Sequence, residues 1–346
     1  MRGRLLVDLA ALTANYQSYC AIKPGVIGAV VKADAYGLGA AMVAPALQAA
    51  GCDTFFVAIA EEGELLRSVV PEARIFVFEG ATPQTAAALA AADLIPVINN
   101  SAQLSAWQDY AAKPVAVHVD TGMGRLGFAA SLQPDDLAGF SITMLLTHLA
   151  CADTADDPQN AAQLAAFRQV AKRFPGVATS VGSSAAMCLG ADYCGDVARP
   201  GIGLYGGVAA AVGQPGAACV ATLQGPVLQV REHSAGVALG YGASYTTRSA
   251  TRVATVGLGY ADGVPRLLSN CGEVAVAGKR CPIVGRVSMD LTLVDVTGVA
   301  VEVGDWIEFF GPTVAVHEVA AWAQTITYEV LTSVSSRVER RYVTGE

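Results

Sequence analysis

The chain has 346 residues, of which 53% are hydrophobic and 15% are charged, and its formal net charge at pH 7 is −8. This length suits one large domain with a smaller second domain. The share of charged residues is low against about 25% in typical soluble proteins, which predicts that part of the surface is buried in an oligomer. The negative charge and the lack of a Lys or Arg run argue against nucleic acid or an anionic membrane as a partner.

The first twenty residues, MRGRLLVDLAALTANYQSYC, carry Asp8 at a spacing that suits an amphipathic helix and lack a small-residue cleavage site. No apolar run reaches the roughly 18 residues of a membrane span. The eight cysteines are scattered without a CxxC pair, which favours reduced thiols and no metal site. We therefore expect a cytoplasmic protein.

From residue 25 to about 205, short apolar β-type runs alternate with Ala-rich helical segments. The eight runs are VIGAVVK, FFVAIA, RIFVFEG, LIPVINN, VAVHVDTG, ITMLLTHLA, VATSVGSS and DVARPGIGLYG. Strands that are apolar on both faces and alternate with helices indicate a parallel sheet covered by helices, and eight of them close a barrel. The pattern predicts a (β/α)8 TIM-type barrel over residues 1–218.

After about residue 218 the chain carries short β-type runs bounded by Gly, Asn and Asp, with brief helical patches such as VHEVAAWA and TITYEVLTSV. This predicts a mainly β domain over residues 219–346. The segment VAAAVGQPGAACV, residues 208–220, is the expected connection, although it would also suit a surface loop of the barrel.

The C-terminal ends of the barrel strands should hold the chemistry, and phosphate groups bind most often near the last two loops. The residues predicted at these ends are Lys32, Arg125, His148, Ser183, Ser184 and Gly201. An amine at Lys32 facing a phosphate site near Ser184 and Gly201 indicates pyridoxal phosphate held as a Schiff base. The strand alone would equally allow Lys32 to be a solvated strand-terminal lysine.

Seven segments carry a family resemblance, in order and over nearly the whole chain. They are AVVKADAYGLG, VHVDTGMGRLGF, LLTHLACAD, ARPGIGLYGG, ALGYGASYT, VGLGYADGVPR and PIVGRVSMD, and together they resemble the alanine racemases. The resemblance implies a barrel followed by a C-terminal β domain, pyridoxal 5'-phosphate as cofactor, and a homodimer with composite sites.

The resemblance also implies the roles of individual residues. Lys32 binds the cofactor and acts as one of two acid/base groups, and Tyr241 is the second, acting from the other subunit on the opposite face of the substrate. The implied cofactor-binding residues are Lys32, Tyr36, Arg125, His148, Ser184, Arg199, Gly201 and Ile202. The implied substrate-binding residues are Arg125, Met289, Tyr260 and Asp290. Ordinary alternatives are packing for Tyr36 and Tyr241 and a turn cap for Asp290.

Arg199 bears on the type of reaction. By resemblance it faces the pyridine nitrogen of the cofactor, and a permanently protonated guanidinium leaves that nitrogen without a proton. The ring is then a weaker electron sink, so proton exchange is favoured over decarboxylation or transamination.

Four residues depart from the family pattern. His118 occupies the place where many members have a lysine modified to a carbamate, so Arg125 must be held by some other group, for example an anion or water. Ser336 stands where a phosphate-contacting tyrosine is usual, which opens the question of substrate size. Asp34 and Leu38 stand where Asn and His are more frequent.

We therefore expect a racemase that interconverts L- and D-alanine by a two-base mechanism and supplies D-alanine for peptidoglycan. A serine or broad-specificity racemase is the alternative that Ser336 motivates. A non-catalytic pyridoxal-phosphate-binding protein is less favoured, because such single-domain proteins lack a C-terminal β domain and the tyrosine of GYGASY. The sequence leaves open whether the role is biosynthetic or degradative.

Overall fold

The computed structural model describes residues 3–22, 25–208, 215–216 and 218–344. Most of the expected connection at 208–220 lies outside the described residues. In chain order the first strands are β1 Arg4–Asp8, β2 Val26–Ile27, β3 Ala29–Val30, β4 Thr54–Val57, β5 Arg74–Val77, β6 Ile95–Ile98, β7 Pro114–Asp120, β8 Phe128–Ala129, β9 Ser141–Leu146, β10 Ala178–Ser180 and β11 Val197–Ala198. The helical segments among them are α1 Leu9–Cys20, α2 Lys32–Tyr36, α3 Ala40–Ala49, α4 Ala60–Val69, α5 Ala86–Ala91, α6 Ser101–Ala106, α7 Pro158–Ala171 and α8 Ser184–Cys188.

A closed parallel barrel forms from the eight predicted strands. The hydrogen-bonded order runs β3, β4, β5, β6, β7, β9, β10, and the first strand is divided at Gly28, so that β2 pairs with β11 while β3 pairs with β4. The N–H of Gly28 donates to Ala198 and that of Val30 to Pro200, which closes the ring. One connection lacks an α-helix, since β7 passes to β9 through β8 and a short 3-10 turn at Pro134–Leu137.

The second part of the chain is mainly β, as predicted. Its elements are β12 Ala221–His233, β13 Ala238–Leu239, β14 Tyr245–Thr246, β15 Thr251–Val256, β16 Glu273–Val276, β17 Lys279–Pro282, β18 Thr292–Asp295, β19 Trp306–Phe310, α9 Val316–Trp322, α10 Thr327–Thr332 and β20 Glu339–Val343. β12 is the longest strand, and it pairs with β1 and β19 along its first part and with β15 along its second. The predicted fold class, a barrel followed by a mainly β domain, is confirmed.

The N-terminus is only partly as expected. The predicted helix begins after Asp8, whose Oδ1 accepts hydrogen bonds of 2.9 Å from the N–H groups of Ala10 and Ala11 and so caps α1. The residues before it form β1, which pairs antiparallel with β12 and parallel with β20. The first strand therefore belongs to the sheet of the second domain, and the division at residues 218 and 219 stays a prediction. Within the described residues, no helix combines the length and the apolar character that crossing a bilayer needs.

Candidate active site

Lys32 lies at the C-terminal rim of the barrel, directly after β3, in a cavity of about 770 Å³. Its side chain is half-buried. Burial and the nearby charge of Arg125 lower the pKa of its ammonium group, while Glu62 acts in the opposite direction. A lysine whose pKa is lowered in this way supplies the neutral amine that a carbonyl compound needs for condensation.

The four residues after Lys32 form a left-handed turn. Their φ angles are 51° at Ala33, 53° at Asp34, 54° at Ala35 and 58° at Tyr36, a conformation that costs non-glycine residues roughly 1–2 kcal/mol each. Hydrogen bonds hold the turn at both ends. The N–H of Ala33 donates to Glu62 Oε1 at 2.7 Å, and Asp34 Oδ1 accepts from the first residue of α3 at 2.7 Å. The turn brings Tyr36 into the same cavity as Lys32.

A cradle for a phosphate group lies beside Tyr36. Ser184 Oγ accepts hydrogen bonds from the N–H groups of Gly201 (2.8 Å) and Gly203 (3.2 Å), which leaves its own hydroxyl proton for another acceptor. Ile202 starts a 3-10 turn next to it. Gly201 is required by the packing, because a Cβ there would lie 2.4 Å from the Tyr36 hydroxyl. The hydroxyl groups of Ser184 and Tyr36, together with the backbone N–H of Ile202, are donors around a small space and fit a phosphate.

Tyr328 also lines the cavity on the side of Tyr36, and it is not among the predicted site residues. It lies in α10 and lines the cavity, with its ring centroid 6.0 Å from that of Tyr36. Ser336, expected at this place, is exposed and does not line the cavity. The expected position of Ser336 beside the cofactor is therefore wrong, because Tyr328 lines the cavity and Ser336 does not, and Ser336 no longer indicates a larger substrate. The TITYEVLTSV patch predicts the helix that carries this tyrosine, and the tyrosine within it is the signal that points to the site.

Arg199 is a buried cation without a carboxylate partner in the described chain. Its Nη1 donates to Ser180 Oγ and its Nη2 donates to the carbonyl of Thr147 at 2.8 Å. Burial lowers its pKa to about 10, so the guanidinium keeps its charge at neutral pH. Burial and the charge of Arg199 lower the pKa of His148 to about 3, so that imidazole is neutral. Among the described contacts, no hydrogen bond joins the side chains of His148 and Arg199.

The remaining predicted residues lie together in another place. Tyr241, Tyr260, Met289 and Asp290 line a second pocket, of about 530 Å³, on the β domain. Tyr241 sits in the turn between β13 and β14 and is 71% exposed, which does not suit an aromatic packed on a neighbouring strand. Asp290 Oδ1 accepts a hydrogen bond of 2.7 Å from Arg337. One chain thus presents an amine with a phosphate cradle in one cavity and an exposed tyrosine in the other.

The barrel cavity gathers all eight predicted cofactor-binding residues: Lys32, Tyr36, Arg125, His148, Ser184, Arg199, Gly201 and Ile202. A buried amine, a cradle for phosphate and a buried cation at the C-terminal rim of a barrel define the class of barrel enzymes that use pyridoxal phosphate. The donors present fit that cofactor.

Comparison with known proteins narrows this class to a family. Residues 7–209 match the family model described as "Alanine racemase, N-terminal domain", and residues 220–342 match "Alanine racemase, C-terminal domain". The chain belongs to the alanine racemase family, which confirms the predicted family, the isomerase class and the pyridoxal phosphate cofactor.

Individual relatives agree over nearly their full length. "Alanine racemase, biosynthetic" of Agrobacterium fabrum is 43% identical, over 99% of this chain and 94% of the relative. "Alanine racemase, catabolic" of the same organism is 41% identical, over 99% and 92%. The crystal structure of alanine racemase from Bartonella henselae, with covalently bound pyridoxal phosphate, superposes with a TM-score of 0.93 at 36% identity, over 99% of this chain and 100% of that one.

Proposed function

We propose that this protein interconverts L- and D-alanine by a two-base mechanism, as a homodimer in which each site takes residues from both chains. The observation that carries the proposal is the separation of the predicted residues into two pockets, one with Lys32 and one with the exposed Tyr241. Racemisation needs a proton acceptor on one face of the α-carbon and a donor on the other. A second copy of the chain would supply the group that the first pocket lacks.

Pyridoxal phosphate, when bound, withdraws electrons from the substrate and makes its α-proton acidic. The chain's own residues do the rest. Lys32 Nζ accepts or returns the proton on one face, and the low pKa that burial gives it favours the neutral, basic form. Tyr241 Oη, from the second chain, exchanges the proton on the other face. Arg199 stays charged at its buried position and would hold the ring of the cofactor, while Ser184, Gly201, Ile202 and Tyr36 would hold its phosphate.

The substrate carboxylate would meet Arg125 in the barrel cavity and the Met289 backbone of the second chain, with Tyr260 and Asp290 at the opening. These four roles rest on the family resemblance and on the pockets that the residues line.

Mixed dimers test the composite site directly. We expect Lys32→Ala and Tyr241→Phe proteins each to lose racemisation, and their mixture to regain activity, because half of the sites in a mixed dimer then combine an intact Lys32 with an intact Tyr241. No recovery after subunit exchange would mean that both bases come from one chain.

Isotope exchange separates racemisation from cofactor binding alone. In deuterated water the wild-type protein should replace the α-proton of L-alanine and form D-alanine. The Tyr241→Phe protein should exchange the α-proton of only one enantiomer and without inversion, because Lys32 remains. Cofactor binding without exchange of either enantiomer would instead indicate a non-catalytic pyridoxal-phosphate-binding protein.

We also propose a role in supplying D-alanine for peptidoglycan from the cytoplasm. Similar identity to the biosynthetic and the catabolic relative does not separate the two roles, so growth decides between them. Expression should let a bacterium that requires D-alanine grow without it. Rescue only under strong overexpression, with activity induced by alanine in the native host, would favour the degradative role.

A further inference from the structure

Asn99 determines which ring nitrogen of His118 carries a proton. The Nδ2 group of Asn99 faces acceptors only: the carbonyl oxygens of Val97 (2.8 Å) and Phe78 (3.0 Å) and Gln103 Oε1 (3.2 Å). Its Oδ1 is therefore the atom that lies 2.9 Å from His118 Nδ1. Because an amide oxygen can only accept, Nδ1 of His118 must be the N–H donor.

The other nitrogen, Nε2, is left as an acceptor without a donor. His118 is 7% exposed, and burial together with the charges of Arg199 and Arg125 lowers its pKa to about 4, with Asp120 acting in the opposite direction. The ring is thus neutral at physiological pH, and Nε2 holds a lone pair. Within the described chain this atom is buried and has no hydrogen-bond partner, although His118 lines the barrel cavity.

Arg125 presents the complementary situation. It follows β7 in a loop that Asp120 shapes by accepting hydrogen bonds from the N–H groups of Gly122, Met123 and Gly124. Arg125 lines the same cavity as His118. Among the described residues, none forms a hydrogen bond or an ion pair with its guanidinium. Its charge contributes to the lowered pKa of Lys32, His118 and His148, which line the same cavity.

We propose that Nε2 of His118 accepts a hydrogen bond from the Arg125 guanidinium, and that this neutral acceptor orients Arg125 when the site is loaded. The expected effect on the KM for alanine rests on the proposed function, whereas the hydrogen bond between His118 and Arg125 does not. A carbamate or a bound anion would offset the charge of Arg125. A neutral imidazole leaves that charge available to an anionic ligand. His118 is then a positioning residue, and no carbon dioxide or halide is needed.

Nitrogen-15 NMR of the holoenzyme labelled at histidine tests the contact without reference to turnover. The chain has four histidines, so the spectrum is assignable with single variants. We expect His118 to show a protonated Nδ1 and an unprotonated Nε2 from pH 6 to 9. The charged and titratable groups that act on this imidazole are Arg125, Arg199, His148 and Asp120. In the Arg125→Leu protein the Nε2 signal should shift and the Nδ1 signal should stay. A protonated Nε2, or an Nε2 signal indifferent to Arg125→Leu, overturns the proposal.

A second experiment separates the neutral acceptor from an anion. The wild-type protein should keep its affinity for pyridoxal phosphate and its KM for alanine in buffer freed of carbon dioxide and chloride. His118→Lys should make both depend on added bicarbonate. His118→Gln, which keeps an acceptor, should raise KM less than His118→Phe does, with His233→Phe on β12 as the control. Cofactor affinity that rises with chloride in the wild type would show that an anion holds Arg125. If the wild-type protein does not racemise alanine but the NMR spectra are as expected, only the proposed function is contradicted, and the contact between His118 and Arg125 is not.

Discussion

Substitution of Gly201 by alanine tests whether the cradle beside Tyr36 binds the cofactor. The new Cβ would lie 2.4 Å from the Tyr36 hydroxyl oxygen and 3.2 Å from the ring carbon that carries it. Real Cβ atoms essentially never come within 3.0 Å of another heavy atom, so one of the two residues must move. Tyr36 is buried, its backbone is held in the left-handed turn, and its ring packs on Tyr205 at a centroid distance of 4.8 Å. We therefore expect the ring to move away from Gly201 and Tyr205 into the cavity, where the cradle is proposed to hold the phosphate.

Overpacking of this kind costs about 1–3 kcal/mol. Since 1.4 kcal/mol corresponds to a tenfold change in an equilibrium constant, the Kd for pyridoxal phosphate should rise about 5- to 150-fold. Most of the cost should fall on cofactor binding, because without phosphate the ring has room to turn. Removal of the hydroxyl in Tyr36→Phe should relieve most of the clash, so the two substitutions should couple favourably in a double-mutant cycle.

Titration of the apoprotein with pyridoxal phosphate, followed by fluorescence, gives Kd for the wild type, both single variants and the double variant. Gly257→Ala is the matched control, because its Cβ would meet the end of the Leu228 side chain, which is exposed and can move. Thermal unfolding of the apoproteins shows whether the fold is retained. An unchanged Kd for Gly201→Ala, or equal effects of this substitution in the presence and absence of the Tyr36 hydroxyl, would refute the assignment of the cradle.

Further predictions concern pH, the turn after Lys32 and the substrate cavity. Burial lowers the pKa of His118 to about 4 and that of His148 to about 3, below the value of about 6.5 in an unfolded chain. The unfolded chain therefore binds more protons below pH 6.5, and the free energy of unfolding should fall toward pH 4 by up to about 1.4 kcal/mol per pH unit for each histidine. Urea unfolding at several pH values measures this slope, which should be smaller in His118→Gln. Glu62→Ala should lower the free energy of unfolding by about 1–3 kcal/mol, because two backbone N–H groups lose their acceptor. The same substitution should lower the pKa of Lys32, because the charge of Glu62 raises it, and the pH dependence of chemical modification of Lys32 measures this change. Ser336→Tyr should leave the ratio of alanine to serine turnover unchanged, because Ser336 is exposed and does not line the cavity; a changed ratio would restore Ser336 to the site.

The barrel and its rim were predictable because a parallel barrel places the C-terminal ends of all its strands on one side. Once Lys32, Ser184 and Gly201 are recognised as residues after strand ends, they must face one another, whatever their separation in the sequence. The structure confirms this common cavity. The roles of the residues in the cavity came instead from the family resemblance, and they remain proposals.

Features that depend on long-range packing were not predictable. Nothing in KADAY indicates four successive positive φ angles, because none of these residues is a glycine; contacts with Glu62 and α3 impose them. Tyr328 enters the cavity because α10 packs on the turn α2, at a great distance in the sequence. In the same way, the run RLLVD suits either a helix or a strand, and pairing with β12 and β20 decides in favour of a strand.

The position of β1 also links the barrel and the β domain more firmly than one linker would. The chain passes between the two domains twice, once from β1 into α1 and once before β12. A bending motion of the backbone at one of these connections is therefore restrained by the other connection. We consequently expect little change in the spacing between the barrel cavity and the exposed turn that carries Tyr241. During synthesis, β1 emerges first but must wait for residues 339–343 before its parallel neighbour exists. A separately expressed segment that starts at residue 220 would present the unpaired edges of β12 and β20, and addition of a peptide that spans residues 3–9 should restore its solubility.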